Sequence, residues 1–451
     1  MVVVWFYPNG GCLSDLLHLK ENSKYYKLHH GETIDWNGFS VGNMKFSSPK
    51  NSFIIGYIVV VTGISGLLTG AEGGVGESAV ITLSFPFGAR SAGMGEVGTA
   101  LADDPSVLFF NPAGLGVADN TWMNRAVSWS FEYLLPAFRL SELWHTAASG
   151  YLQLPGTLGA LGVFWNYINM GRNTIYDALG NEQMDVNSYE MVGAFGWGFS
   201  LEEFGDPTRH FGITAKPLVS ALAPGIGPGG EGVAQSFAID AGYLRVCDNG
   251  IRYGFTFMNM GPDVYYIDHA SRDPIPFTVA AAVAWKQRWV KWRAEVFRIA
   301  TELRAHKELV VNHFDDRSSE PFYEAMLTDW FNEPFAYELQ EINLNYGIEL
   351  GWMNTVFYRQ GILFDYIGTR FEMHFGVGVH LFNHLRADFS WIYSPPGYMQ
   401  YTLQAFGDRG AEGSTGARDY QWHTSVSLDG LGAWSEDDLR WWIVDRGRRR
   451  R

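Results

Sequence analysis

Cysteine is nearly absent from this 451-residue chain. Cys12 and Cys247 are the only two, too few for a disulfide framework or a cysteine zinc site. Charge is scarce as well, with Lys, Arg, Asp and Glu at 18% against roughly 25% in soluble domains. What charge there is sums to −15, which leaves no basic surface for phosphate backbones and excludes nucleic acid as the partner. Long apolar runs are missing too: the most apolar stretch, Phe53–Leu68, holds 16 residues, short of the ~20 that cross a bilayer as a helix. The histidines show no HExxH or paired spacing, so no metal site is legible. The glycines of 86–116 lack the preceding strand and following helix that a dinucleotide loop needs. Asp103 and Asp104 are adjacent, and neighbours on an extended chain point apart, so they make a poor acid–base pair. Neither catalytic residues nor a cofactor are assigned, and the sequence predicts no enzyme.

In place of these the chain has 16% aromatics and 52 glycines at a mean hydropathy of only −0.08. That combination suits strands that alternate apolar and polar residues. Near the start, Lys45 and Lys50 precede the apolar stretch, and Thr69-Gly70-Ala71 follows it. Basic, apolar and small-residue regions in that order predict a secretory signal peptide over 44–71, cleaved after Ala71. Met44 is then the expected start, and residues 1–43 a disordered upstream over-extension of the reading frame.

From residue 120 onward the dominant period is two. In EINLNYGIEL (341–350), Ile342, Leu344, Tyr346, Ile348 and Leu350 oppose Glu341, Asn343, Asn345 and Glu349. A soluble sandwich would alternate in the same way, so strand length and loop asymmetry decide. Strands are predicted near 121–131, 144–154, 159–169, 187–199, 209–219, 233–244, 251–260, 275–286, 290–300, 339–351, 354–364, 369–380, 384–395 and 419–430. Most reach the ~9–11 residues of membrane-spanning strands, not the about five or six of soluble ones. Connections after even strands are mostly short and those after odd strands mostly long, as outer-membrane barrels arrange their periplasmic turns and outer loops. Aromatics at strand ends (Trp122, Tyr151, Trp165, Trp197, Tyr243, Trp285, Trp352, Tyr393) supply an interfacial belt. The expected fold is all-β: a 14-stranded antiparallel transmembrane β-barrel over 121–434, with an N-terminal hatch (72–120) inside its lumen and a disordered tail (435–451). Lumen-facing charges are expected at Lys216, Lys291, Arg293, Glu295, Arg298, Arg370, Glu372, Arg386 and Asp388. The long loop 301–338 carries helical patches, ATELRAHKELVVNHF and EPFYEAMLTDWF. Trp330 and Phe331, with Tyr398 in the next long loop, are candidate partner anchors.

Ahead of these strands runs GARSAGMGEVGTALADDPSVLFFNPAGL, with Ala102-Asp103-Asp104 and Asn111-Pro112-Ala113-Gly114-Leu115. With the later ELQEINLNYGIELGW, FYRQGILFD, FGVGV and LRADFSW, this resembles the FadL-like outer-membrane proteins, most nearly their PorV/PorQ branch, over about 75–430. The resemblance implies that the segment before the first strand folds into the barrel as a hatch. Its motif positions here are Gly88, Arg90, Gly93, Gly95, Asp103, Asp104, Asn111, Pro112, Ala113 and Gly114. It further implies residence in the outer membrane among its lipids, and one of two roles. In a PorV-type role the barrel is an accessory of type IX secretion, binding translocon and cargo through its outer loops. In the alternative, a FadL-like role, it carries long-chain fatty acids or other hydrophobic small molecules. The inward charges argue against an apolar path, and the elaborated outer loops favour the escort.

Overall fold

The computed structural model describes residues 26–27, 33–34, 78–104, 106–117, 125–134, 142–154, 158–176, 182–225, 232–266, 272–291, 294–313, 318–368, 370–381, 385–395 and 420–428. The expected over-extension (1–43), signal peptide and C-terminal tail, along with Trp122, Arg293 and Tyr398, lie outside these, apart from a two-residue ladder of Tyr26–Lys27 with Thr33–Ile34.

Residues 78–117 contain little regular structure: a 3-10 turn at Ile81–Leu83, helix α1 (Ala89–Gly93), helix α2 (Val107–Phe110) and a 3-10 turn at Pro112–Gly116. Fourteen strands follow. They are β1 (Arg125–Tyr133), β2 (Trp144–Gln153), β3 (Ala160–Tyr176) and β4 (Glu182–Leu201); then β5 (Asp206–Ala221), β6 (Val233–Val246) and β7 (Ile251–Met260). Next come β8 (Thr278–Lys291), β9 (Ala294–Glu308), β10 (Asn343–Trp352) and β11 (Val356–Asp365), and last β12 (Arg370–Leu381), β13 (Leu385–Tyr393) and β14 (Tyr420–Leu428). Each pairs antiparallel with its sequence neighbours, and β14 pairs with β1, from His423 opposite Glu132 to Leu428 opposite Val127, so the sheet is a closed barrel. Closure leaves no strand edge unpaired.

Burial alternates along the strands. The outward rows carry Trp129, Trp165, Phe195, Ile213, Phe237, Phe255, Val283, Leu303, Tyr358, Val377, Phe389 and Val426, each more than a third exposed. Aromatic contacts gather near both rims: Trp144, Tyr167 and Tyr189 at one, Phe199, Phe211 and Tyr243 at the other.

Three local expectations change. ATELRAHKEL is not helical but the far half of β9, because Ala300, Glu302 and Arg304 are buried inward while Leu303 faces out; the helix formers in it yield to ladder pairing with β8 and β10. No turn forms at 287–289, where one was expected: β8 stays paired with β9 as far as Lys291 opposite Ala294, after a register shift at Trp289/Val290. Lys291 therefore ends β8 exposed, and is not a lumen-facing charge. Tyr151 points into the interior, since β2 buries His145, Ala147, Ser149 and Tyr151 as one row. After β9 the chain forms a small ladder (Asn312–His313 with Ser318–Ser319), helix α3 (Phe322–Thr328), a 3-10 turn at Asp329–Phe331 and helix α4 (Phe335–Glu338). The second helical patch thus forms where expected.

Candidate functional site in the packed interior

The inward rows of the wall close on residues 78–117. Arg90, on α1, is the hub. Its Nη1 donates to Asp103 Oδ1 at 2.7 Å and Asp104 Oδ2 at 2.8 Å, and its Nε and Nη2 donate to the Glu349 carboxylate of β10 at 2.8 and 3.1 Å. Lys286 of β8 also reaches Asp103. Arg359 of β11 bridges Glu349 and Asp388, at 2.8 and 2.7 Å. The adjacent aspartates converge on one guanidinium because the backbone turns there, with Ala102 at φ 37°, so the extended geometry assumed for them does not apply. All of these side chains but Lys286, which is partly buried, are nearly solvent-free, and buried charges persist only where paired and hydrogen-bonded.

Glu302 of β9 does another kind of work. Its two oxygens accept four consecutive backbone N–H groups, from Gly98, Thr99, Ala100 and Leu101, at 2.6–3.1 Å. A carboxylate cradled by amides replaces the helix cap that this turn lacks. At the far end Glu190 of β4 accepts from Thr82 N and Oγ1 at 2.9 and 2.8 Å. Across the β14–β1 seam, Glu132 holds His145, His423 and Gln421 together.

Asn111 fixes the turn before Pro112. Its Oδ1 accepts from Ala113 N at 3.0 Å, while its Nδ2 donates to the carbonyls of Thr99 and Tyr243 at 2.7 and 3.1 Å. The segment approaches the wall backbone to backbone, which is what glycine permits. Gly95 has φ 73°, and a Cβ there would sit 2.8 Å from Tyr346 O. A Cβ on Gly361 of β11 would come within 2.2 Å of Gly95 N. Gly93 meets Gly376 of β12 in the same way, Gly114 packs on Ala102, and Gly88 precedes α1 with open space around it.

The interior is asymmetric. From β9 round to β1 most inward residues are charged or polar, with Phe357, Leu363 and Ile392 among them. From β2 to β6 many are apolar: Phe164, Ile168, Val192, Ala194, Leu218, Ala234, Ala238 and Leu244, interrupted by His145, Asn166, Glu190, Lys216 and Asp240. Against this sector pack Phe87, Leu108, Phe109, Phe110 and Leu115, then Val80 and Leu83 with Val264 and Ile275. A small cleft beside Phe87 is lined mainly by polar side chains, among them Arg90, Ser106, Ser128, Arg386, Asp388 and Ser427.

Of the expected inward charges, Lys216 is buried and pairs with Asp240 at 2.6 Å. Glu295 and Arg298 pair at 3.2 Å, as do Arg370 and Glu372. Arg386 is buried over the Phe357 ring. Trp330 and Phe331 sit in the loop after β9, 38% and 85% exposed. Glu302, Arg359, the close approach of Gly361 and Gly376 to the inner segment, and the apolar sector were not singled out in the sequence. For Glu302 the signal was there, in the alternation of Ala300, Glu302 and Arg304 with Leu303.

No family model and no curated protein matches this chain. Among solved structures, the P. putida toluene transporter TodX matches at TM-score 0.45 and 9% identity, over 76% of this chain and 97% of its own. The CymD monoaromatic hydrocarbon channel gives 0.42 and 10%, over 76% and 98%. The Ralstonia pickettii toluene transporter TbuX gives 0.38 and 9%, over 76% and 97%. The geometry itself establishes a closed 14-stranded barrel whose more charged sector and more apolar sector share one packed inner segment.

Proposed function

We propose that this chain is an outer-membrane barrel that passes hydrophobic small molecules through its interior, with residues 72–120 as the hatch. A continuous apolar exterior around a closed wall supports the membrane setting, because water tolerates only small exposed apolar patches. The observation that carries the transport reading is the apolar sector from β2 to β6. It runs from Leu244 and Phe164 to Val192 and Leu218, and the inner segment covers most of it, joined at one end by Val264 and Ile275 of the connection between β7 and β8. A displaced segment would open an apolar face beside a salt-bridged one. The escort reading rests on the aromatics of the loop after β9, which have another use below.

Locking tests this reading. Ala89 N donates to Ser425 Oγ at 3.2 Å, so Ala89→Cys with Ser425→Cys, in a Cys247→Ser background, tethers the segment to β14. Oxidised cells should lose uptake of a hydrophobic fluorescent probe, and reductant should restore it. Uptake unchanged by a complete crosslink, with the barrel still heat-modifiable on gels, would overturn the proposal.

A further inference from the structure

Residues 318–341 pack over the outward face of the wall at the end of β9. Lys307 belongs to the outward row of β9, opposite Val279 and two steps of the alternation beyond exposed Leu303. Yet it is only 2% exposed. What covers it is the loop: its Nζ lies 2.5 Å from Asp329 and 2.8 Å from Glu341, bonds Glu338, and sits 4.8 Å from the Trp330 ring centre. A second tether runs outward from Phe257 of β7, which stacks at 6.4 Å on Phe277, whose ring meets Phe322 of α3 at 5.9 Å.

Held at these two points, the loop presents Tyr323, Leu327, Phe331, Phe335 and Leu339, every fourth residue, each more than half exposed. Tyr323 and Leu327 share one face of α3, Phe331 ends the 3-10 turn, and Phe335 opens α4. Single exposed apolar groups need no explanation, but five large ones in one short loop do. Three of the loop carboxylates, Asp329, Glu338 and Glu341, turn to Lys307, while Glu324 and Glu333 stay exposed toward water and the headgroups. The aromatic character of the stripe suits the border between headgroups and acyl chains.

We propose that this stripe is a lipid-binding strap, lying in the acyl border of the outer leaflet and continuing the wall's apolar face beyond β9. It rests on the membrane reading of the wall, and Leu303 tests that reading separately. A bimane label at Phe331→Cys, in the Cys247→Ser background, is followed in liposomes whose lipids carry bromine near the top of the acyl chain. The label should lose emission, as should one at Leu303→Cys. Adding Lys307→Met, which frees the loop, should weaken quenching at position 331 and leave that at 303 unchanged. Quenching at 303 with none at 331, or energy transfer between 331 labels on different copies instead of quenching, overturns the strap and points to water or a second copy. Absence of quenching at both positions overturns the membrane reading and the strap with it.

Discussion

At the scale of single residues the loop after β9 is governed by one lysine among three acids. Burial pushes the Asp329 carboxyl up from 3.8 to about 6, Lys307 opposes the rise, and Glu341 and Glu338 add to it. Burial likewise raises Glu341. An acid raised in the folded state favours packing when protonated. That contribution is full below the ordinary value of 3.8 and is lost as pH rises through about 6. At pH 5 the packed carboxyl holds its proton in roughly ten molecules for each one ionised, whereas the freed carboxyl is already ionised. Amide protection over α3 and α4, corrected for intrinsic exchange, should therefore be roughly tenfold greater at pH 5 than at pH 7. Asp329→Asn should hold the high protection throughout, and an unaltered pH dependence in that variant would refute the assignment. None of this is legible in the sequence, where Lys307 and Asp329 are distant residues, one of them inside an apparent run of helix formers.

At the scale of elements, the inner segment and the wall are built for each other through absent side chains. Gly361→Val places carbons where Gly95 N and Met94 lie, on an inward row that otherwise pairs normally with β10 and β12. The expected result is a barrel that still assembles but whose segment is displaced, read as ion conductance in planar bilayers that the parent protein lacks. A silent variant with unchanged heat modifiability would show that the segment does not seal the lumen. The strands themselves were readable because a period of two survives any ignorance of partners. The inward glycines were not, since a glycine in a strand pattern says only that something comes close. The apolar sector was missed for a related reason: on β3 both faces are largely apolar, so alternation cannot mark which face is inside, and on β5 the inward Lys216 drew the reading toward a polar lumen. The charged strands β11 to β13 announced their inward face, and so the interior read as uniformly polar.

At the scale of the whole molecule, closure depends on the β14–β1 seam, and Glu132 ties three strands there through His145, His423 and Gln421. Removing one partner of a buried charged network costs about 3–5 kcal/mol. Glu132→Ala should lower the temperature at which the barrel loses its gel shift, and more so than Glu190→Ala, whose partners Thr82 and Ser220 lie away from the seam. Equal losses would mean that the seam is no weaker than the rest of the wall.

The hairpin of β3 and β4 is longer than any bilayer requires. A spanning strand takes ~9–11 residues, whereas β4 runs for 20 and β3 for 17. The excess, around Arg172, Thr174 and Asp185, is exposed and held by its own pairing and a 2.8 Å bond from Thr174 to Asp185. On a cell it would stand above the other described turns as a ribbon, the first part of the molecule met by an antibody or a phage. Immune and viral selection would then act on residues 170–188 while the salt-bridged interior stays shielded. A peptide epitope spliced between 176 and 182 should be displayed on living cells without disturbing the barrel beneath.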